Sequence, residues 1–355
     1  DGLVVEALDL LDVLIAPNAP DLAKRTERLM ELLQMADAAA VRSLLGKVGN
    51  GSDESDLSKA LRWRFSQANP RESFLLGLDD PPSSQLKDVL LWDFRGWANL
   101  DPSGALRWYA EAEERNLPLA KEEEMLIAVF AARARLDPKR AIEGFRQHFG
   151  VDAGSEAKLA IPRLVGSLRN QGERMGFMVA LNRNTAEDSG DGSFRETVVS
   201  ELSKALVKEP FDEVSLLVDG TFTAEERVKF ARNLTQGGFL NPNTWPRWAP
   251  WIAALDLPAE RGQPIDTMAV IVARNKKRFK DVQWLADLPA GPQRDLAVES
   301  YAMVSLESDL DEAIRWMDYL PAGERRKGVA ANVARYLEMK DPAAAEALRS
   351  KEGVE

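Results

Sequence analysis

Asp101-Pro102-Ser103-Gly104-Ala105-Leu106-Arg107-Trp108-Tyr109-Ala110-Glu111-Ala112, closed by Pro118, has the marks of a helix with a defined beginning and end. An Asp carboxylate caps the free N–H groups at a helix start, and Pro in the first helical position loses no bond while its fixed φ already suits the helix. The same dipeptide returns at Asp137-Pro138 and Asp341-Pro342, each time after one helix-like run and before another. Looser copies are Asn69-Pro70, Glu209-Pro210, Asn241-Pro242 and Asp309, and spacing adds Asp37, Gly172 and Lys277. The gaps between the markers 37, 69, 101, 137, 172, 209, 241, 277, 309 and 341 are 32, 32, 36, 35, 37, 32, 36, 32 and 32. Their mean of about 34 is the length of a helix–turn–helix repeat.

Side-chain character at fixed offsets tests this register. Seven residues after the markers stand Leu44, Leu76, Trp108, Gly144, Val179, Leu216, Trp248, Trp284, Trp316 and Leu348, nine of ten apolar against 45% for the chain. Seven before stand Met30, Arg62, Phe94, Phe130, Val165, Leu202, Leu234, Val270, Ala302 and Ala334, again nine of ten. Four after, where two helices must approach closely, small side chains recur at Ser73, Ala105, Ala141, Gly176, Ala313 and Ala345. Glu213, Trp245 and Asp281 break that rule, so the middle repeats are either degenerate or misregistered by one.

Trp284-Leu285-Ala286-Asp287-Leu288-Pro289-Ala290-Gly291 is echoed 32 residues later by Trp316-Met317-Asp318-Tyr319-Leu320-Pro321-Ala322-Gly323. Leu117-Pro118 and Leu257-Pro258 mark the same stop, since Pro ends a helix and pushes its predecessor out of the α region. The stretch from Asp101 to Ala112 resembles the second helix of a tetratricopeptide repeat, with Ala105 and Ala112 at the two small positions, and Asp311-Glu312-Ala313-Ile314-Arg315-Trp316 is similar to it. The resemblance covers most of the chain by periodicity and two or three units by motif. The Gly and Tyr usual in that family's first helix are mostly missing, so a divergent tetratricopeptide-like or related α-solenoid is the reading. Alternation of the strand kind never persists. The expectation is an all-α, right-handed α-α superhelix of about ten helix-turn-helix repeats forming one array over 1–355. Capping helices occupy 1–48, central repeats 57–320 and a C-terminal repeat 321–355.

Composition narrows the function. The 355 residues hold 46 Lys+Arg against 57 Asp+Glu, a net charge of −11, with one His and no Cys. Disulfides, a thiol nucleophile and Cys-ligated zinc are thereby excluded, and His148 alone builds neither a polyhistidine metal site nor a catalytic His pair. The acidic balance argues against nonspecific nucleic-acid binding or an anionic membrane. The longest apolar run, Met125 to Ala132, is far short of the roughly 20 residues a membrane span needs. Phosphate-binding and serine-hydrolase motifs are missing. The acidic loop Asp188-Ser189-Gly190-Asp191-Gly192 lacks EF-hand spacing, and no pair of carboxylates stands out as catalytic. His148 closes an expected helix and reads as a C-terminal cap. Lack of Cys and a start at Asp1 lean towards an exported, periplasmic protein.

The function read from this pattern is a non-catalytic protein- or peptide-binding scaffold without a cofactor. In such arrays the first helices line the concave wall. Fourteen residues before the markers, five of ten positions are basic: Lys87, Lys158, Arg195, Arg227 and Lys327, with Arg169 and Arg274 extending the series. Basic residues near helix N-termini oppose the helix dipole, so an anionic partner such as an acidic segment or a peptide C-terminus is one explanation. Salt bridges to acids of neighbouring repeats are the other. Trp108, Trp248, Trp284 and Trp316 share a register and read as core anchors. Trp245, Trp248 and Trp251 cannot share one buried stripe around Pro246 and Pro250, which makes Trp245 and Trp251 candidates for a ligand-stacking surface. A carbohydrate-binding or carbohydrate-processing helical protein and a structural spacer of a larger protein are the alternatives.

Overall fold

The structure, a computed structural model, describes residues 2–11, 18, 20–48, 56–79, 84–150, 155–185, 192–236, 245–277, 279 and 282–354. Every regular element among them is a helix, and there is no strand. Contact clustering separates two compact units, Asp1–Val198 and Val199–Glu355. Residues 186–191, which include most of the acidic loop from Asp188 to Gly192, lie outside the described residues.

The first unit runs α1 (Gly2–Leu10), α2 (Leu22–Met35), α3 (Ala38–Val48), α4 (Asp56–Ala68), α5 (Pro70–Leu78), α6 (Ser84–Leu100), α7 (Pro102–Glu114), a 3-10 turn (Pro118–Lys121), α8 (Glu123–Leu136), α9 (Pro138–Phe149), α10 (Ser155–Gly166) and α11 (Gln171–Thr185). The helix α12 (Gly192–Leu206) crosses the boundary. The second unit continues with α13 (Phe211–Thr221), α14 (Ala224–Gln236), α15 (Trp245–Ala253), α16 (Pro264–Arg274), α17 (Trp284–Asp287), α18 (Pro292–Ser305), α19 (Leu310–Met317), α20 (Glu324–Glu338) and α21 (Pro342–Glu352).

Alternate helices are neighbours in space. In the first unit α2 touches α4, α4 touches α6, α6 touches α8 and α8 touches α10; in the second α14, α16, α18 and α20 form a similar row. Several of these first helices also pack on the second helix of their own pair, as α4 on α5, α6 on α7, α8 on α9, α18 on α19 and α20 on α21. The run Met125 to Ala132 that stood out in the sequence is the inner part of α8, which packs on α6, α7, α9, α10 and α11. A helix covered on so many sides is apolar all round.

The Asp-Pro corners work as anticipated, and they do so with one residue. The N–H groups of Asn69, Asp101, Asp137, Asp309 and Asp341 each donate to the carbonyl four residues back, at 2.7–2.8 Å, ending one helix. Their side-chain oxygens accept the N–H three residues ahead, at 2.9–3.3 Å, starting the next. All five hold closely similar backbone angles, φ −132 to −157° and ψ 72 to 93°. Asp37 caps α3 in the same manner, 2.7 Å from the Ala40 N–H. Four residues beyond the five corners, Ser73, Ala105, Ala141, Ala313 and Ala345 are all buried, which is why those positions are small.

Two of the markers are displaced, one set by spacing and one a looser copy of the dipeptide. Asn170, rather than Gly172, caps α11 by accepting the Glu173 N–H at 2.9 Å, while Glu173 reaches back to the Arg169 N–H at 2.7 Å. Pro210, rather than Glu209, precedes α13. With those origins, the residues seven further on become Phe177 and Leu217, 0% and 1% exposed, in place of the half-buried Val179 and of Leu216, which is 63% exposed. Lys277 lies in the turn after α16 and opens no helix, and Asn241 lies outside the described residues.

The echoed octapeptides fold alike. Trp284 and Trp316, Leu285 and Met317, and Leu288 and Leu320 are pairwise buried. Both segments end on a glycine with φ near +155° and ψ near 180° (Gly291 at 156° and 179°, Gly323 at 154° and −173°), from which α18 and α20 start. That backbone region is essentially closed to other residues. No atom lies within 4 Å of an added Cβ at either site, so strain alone acts there. Gly323→Ala is therefore expected to cost about 1–3 kcal/mol, read as a lowered thermal midpoint; an unchanged midpoint would refute this backbone assignment.

Successive pairs are tied by side chains at a near-constant separation. Arg42 bonds Asp79, Lys87 pairs with Glu122, Arg135 holds both Glu173 and the Asn99 carbonyl, Arg163 pairs with Glu124, and Ser167 reaches the Ala131 carbonyl. In the second unit Arg247 pairs with Asp212, Arg261 with Glu299, Lys276 with Glu312, and Gln293 reaches the Leu257 carbonyl. Apart from Arg163 at 39, these partners stand 35 to 38 residues apart.

Candidate functional site

The basic series anticipated from sequence is largely engaged with neighbouring side chains. Lys87 Nζ lies 2.7 Å from Glu122, at the start of the next first helix, α8. Arg195 donates to the Asn182 amide oxygen, and Lys327 lies 3.8 Å from Glu324 in its own first turn. Lys158, Arg169 and Arg274 are exposed, and Arg274 sits in the last turn of α16, where the helix dipole favours a cation. Lys87, Lys158, Arg169 and Arg195 belong to the first unit, while Arg227, Arg274 and Lys327 belong to the second.

Two of the candidates do converge. Asp219, on α13, accepts the Trp251 indole N–H at 3.0 Å and stands 3.9 Å from the Arg227 guanidinium. Trp251 is half-buried against Phe230 and Trp248. Beside it Arg247 grips Asp212 through two hydrogen bonds and stacks on Phe211, 4.7 Å from the ring centre. This arrangement fastens α13, α14 and α15 to one another. Trp245, by contrast, is 1% exposed, with Phe279 and Trp284 centred 5.7 and 6.0 Å from its ring. A buried ring offers no stacking face to a ligand, so Trp245 joins the core. Of the four register-sharing tryptophans, Trp248, Trp284 and Trp316 are buried, and Trp108 is partly buried edge-on to Phe74 at 4.6 Å.

The exposed aromatic feature lies elsewhere. Trp63 on α4 and Trp92 on α6 are 50% and 47% exposed, with ring centres 5.7 Å apart and planes tilted by 33°. The Arg95 guanidinium lies over Trp92, 4.2 Å from the ring centre, close enough for cation–π attraction. Val89, one turn earlier on α6, is also exposed, and Arg64 bonds the exposed Gln67 one turn after Trp63. Sequence reading passed over this pair because it sought tryptophans that share a repeat register. A helical wheel carries the missing signal: Leu61 and Phe65 mark the inner side of α4, and Leu90, Phe94 and Trp97 that of α6. Trp63 and Trp92 each fall two residues from an inner position, about 200° around the helix and so on the outer side.

Beneath this pair lies a buried acid. Asp93, fully buried on α6, accepts the Ser66 hydroxyl from α4 and the Ser73 hydroxyl from α5, the latter at 2.7 Å. Burial pushes its carboxyl up to about 6, against the opposing pull of the two hydroxyls and of Arg62. In the second unit Asp266, also buried, accepts the Ser300 hydroxyl and the Gly262 N–H. Tyr301 donates to Glu312 at 2.8 Å, and Lys276 bonds the other carboxylate oxygen at 2.5 Å, bracing α18 on α19. Glu312 is held below the usual carboxylate range by Lys276 and Tyr301 although burial opposes them, and the Tyr301 hydroxyl is pushed up mainly by burial. His148 is exposed in the last turn of α9 against Phe149. Among the described residues there is no cluster of three or more His, Asp or Glu side chains suited to a metal ion, and no helix is long and apolar enough to cross a membrane.

Comparison with known proteins finds no family model, no curated protein and no solved structure that matches the chain.

Proposed function

We propose that the chain is a non-catalytic scaffold that binds a protein or peptide along the exposed side of its first helices. The observation supporting this reading is the row arrangement: α2, α4, α6, α8 and α10 in one unit and α14, α16, α18 and α20 in the other. Stacked pairs expose a continuous series of side chains on adjacent, parallel-running helices, the surface that repeat arrays of this kind use for extended partners. The one-residue corners and the ties between residues about 36 apart fit a divergent tetratricopeptide-like solenoid, which we take as a right-handed superhelix of about ten pairs. Cross-pair bonds such as Lys87 to Glu122 and Arg163 to Glu124 fix neighbouring first helices side by side, so the presented surface is held in shape before a partner arrives.

Peptide display on the intact chain, followed by hydrogen-exchange mapping of the selected peptides, tests the proposal. Enriched peptides should protect first helices, above all those of the α4 to α10 row. Failure of any peptide to enrich over an unrelated helical control, or protection confined to the second helices, would sink it.

A further inference from the structure

The Trp63–Trp92 pair has a chemistry of its own. Large aromatic side chains bury well and dominate both cores and interfaces, so two of them half-exposed on one surface leave apolar area without cover. The Ser66–Asp93 bond holds the two helices that carry them side by side, and Ser73 of α5 bonds the same carboxylate, so the paired rings are presented on a braced surface. Arg95 adds a positive charge. Among the described residues it has neither an ion pair nor a side-chain hydrogen bond, and its guanidinium carbon lies over the Trp92 ring. Two N–H groups of a guanidinium match the two oxygens of a carboxylate. Arg64, which among the described residues bonds the neutral Gln67 alone, adds a second cation next to Trp63 in the sequence of α4. Asp88, one turn before Trp92, is the acid that opposes them on α6. In a chain of net charge −11, a cation-bearing aromatic surface of this kind is matched to an acidic partner.

We infer that Trp63, Trp92, Arg95 and Arg64 form the docking point for an acidic peptide segment of another protein, one that lays a proline or aromatic residue against the exposed indoles and a neighbouring carboxylate on Arg95. The inference rests on the scaffold reading and names its anchor. A sugar fits the surface less well. Saccharides stack on an open indole face and hydrogen-bond their hydroxyls to nearby carboxylates or amides, whereas here Arg95 covers one face of Trp92 and cations flank the pair.

The test uses the peptides selected on the intact chain, measured by fluorescence anisotropy. The inference expects an acidic residue next to Pro, Trp, Phe or Tyr among the enriched sequences, and a dissociation constant that rises with salt. It expects Trp63→Ala, Trp92→Ala and Arg95→Glu each to weaken binding at least tenfold, while Leu216→Ala, at an exposed site on the second helix α13, leaves it unchanged. All three altered side chains are exposed or half-buried, and far-ultraviolet circular dichroism with a urea midpoint confirms folding. Peptides that bind with full affinity to all three variants overturn the inference and leave the scaffold reading standing. If no peptide enriches, both fall. A panel of oligosaccharides that binds the intact chain and not Trp92→Ala overturns it in favour of a sugar site. Light scattering that shows a dimer lost in Trp63→Ala overturns it in favour of a second copy of this chain.

Discussion

Trp245→Ala is expected to destabilise the Val199–Glu355 unit by about 3–5 kcal/mol, the loss typical of a large aromatic removed from a packed core. The ring is 1% exposed and sits between Phe279 and the edge of Trp284. Nothing in the second unit's core is positioned to refill that volume cheaply, because close-packed interiors relax little. Trp245→Phe should cost far less than Ala. It keeps most of the apolar contact and removes an indole N–H that is buried without an acceptor among the described residues, a group whose burial carries its own penalty of about 1–3 kcal/mol. Urea unfolding of the intact chain, followed by circular dichroism, measures both. A loss below about 1 kcal/mol for the alanine variant would contradict the core placement and reopen a ligand-facing role for this residue.

The second large effect depends on pH. Asp93 is fully buried with its carboxyl raised to about 6, whereas in the unfolded chain it titrates near 3.9. Between these values the folded state binds the proton that the unfolded state has released, so this residue's contribution to stability falls as pH rises. A shift of about two units amounts to about 3 kcal/mol of destabilisation once pH exceeds 6. Asp93→Asn retains the shape and both serine contacts, since an amide accepts from one hydroxyl and donates to the other. It also removes the charge. The variant should therefore exceed the parent in stability by up to about 3 kcal/mol at pH 7.5, with the difference closing below about pH 4. Urea midpoints of both proteins across that range decide the matter. A constant difference, or a variant weaker at pH 7.5, would show that Asp93 is not held as a buried neutral acid at low pH. Measuring the difference matters because Glu6, Asp212, Glu312 and Glu352 are held below the usual carboxylate range by their cationic partners, and their contributions move the other way.

The all-helical class and the corners were legible because each is set by local chemistry. A carboxylate or amide at the junction, followed by Pro in four of the five corners and by Leu310 in the fifth, closes one helix and opens the next within four residues. The echo of Trp284 to Gly291 in Trp316 to Gly323 was legible for the same reason, since its turn requires glycine at one backbone angle. Weaker signals misplace the start: Gly172 follows from spacing and Glu209 from a looser copy of the dipeptide, whereas the chain begins these helices from Asn170 and Pro210.

The candidate surface was harder to see. Offsets from a marker select residues by sequence position, yet a basic residue at a favourable offset is engaged once an acid from a neighbouring pair reaches it, as Glu122 reaches Lys87 and Asp219 reaches Arg227. The sequence by itself determined helices, their boundaries at capped corners, the small residues at close approaches and the pairing period, because these follow from contacts within a few residues or from a repeated pattern. Tertiary structure alone decided which aromatics and cations face solvent. Trp245 is covered by Phe279 and Trp284, whereas Trp63 and Trp92, with Arg95 upon them, are left open, since exposure is fixed by what packs above a side chain from elsewhere in the chain.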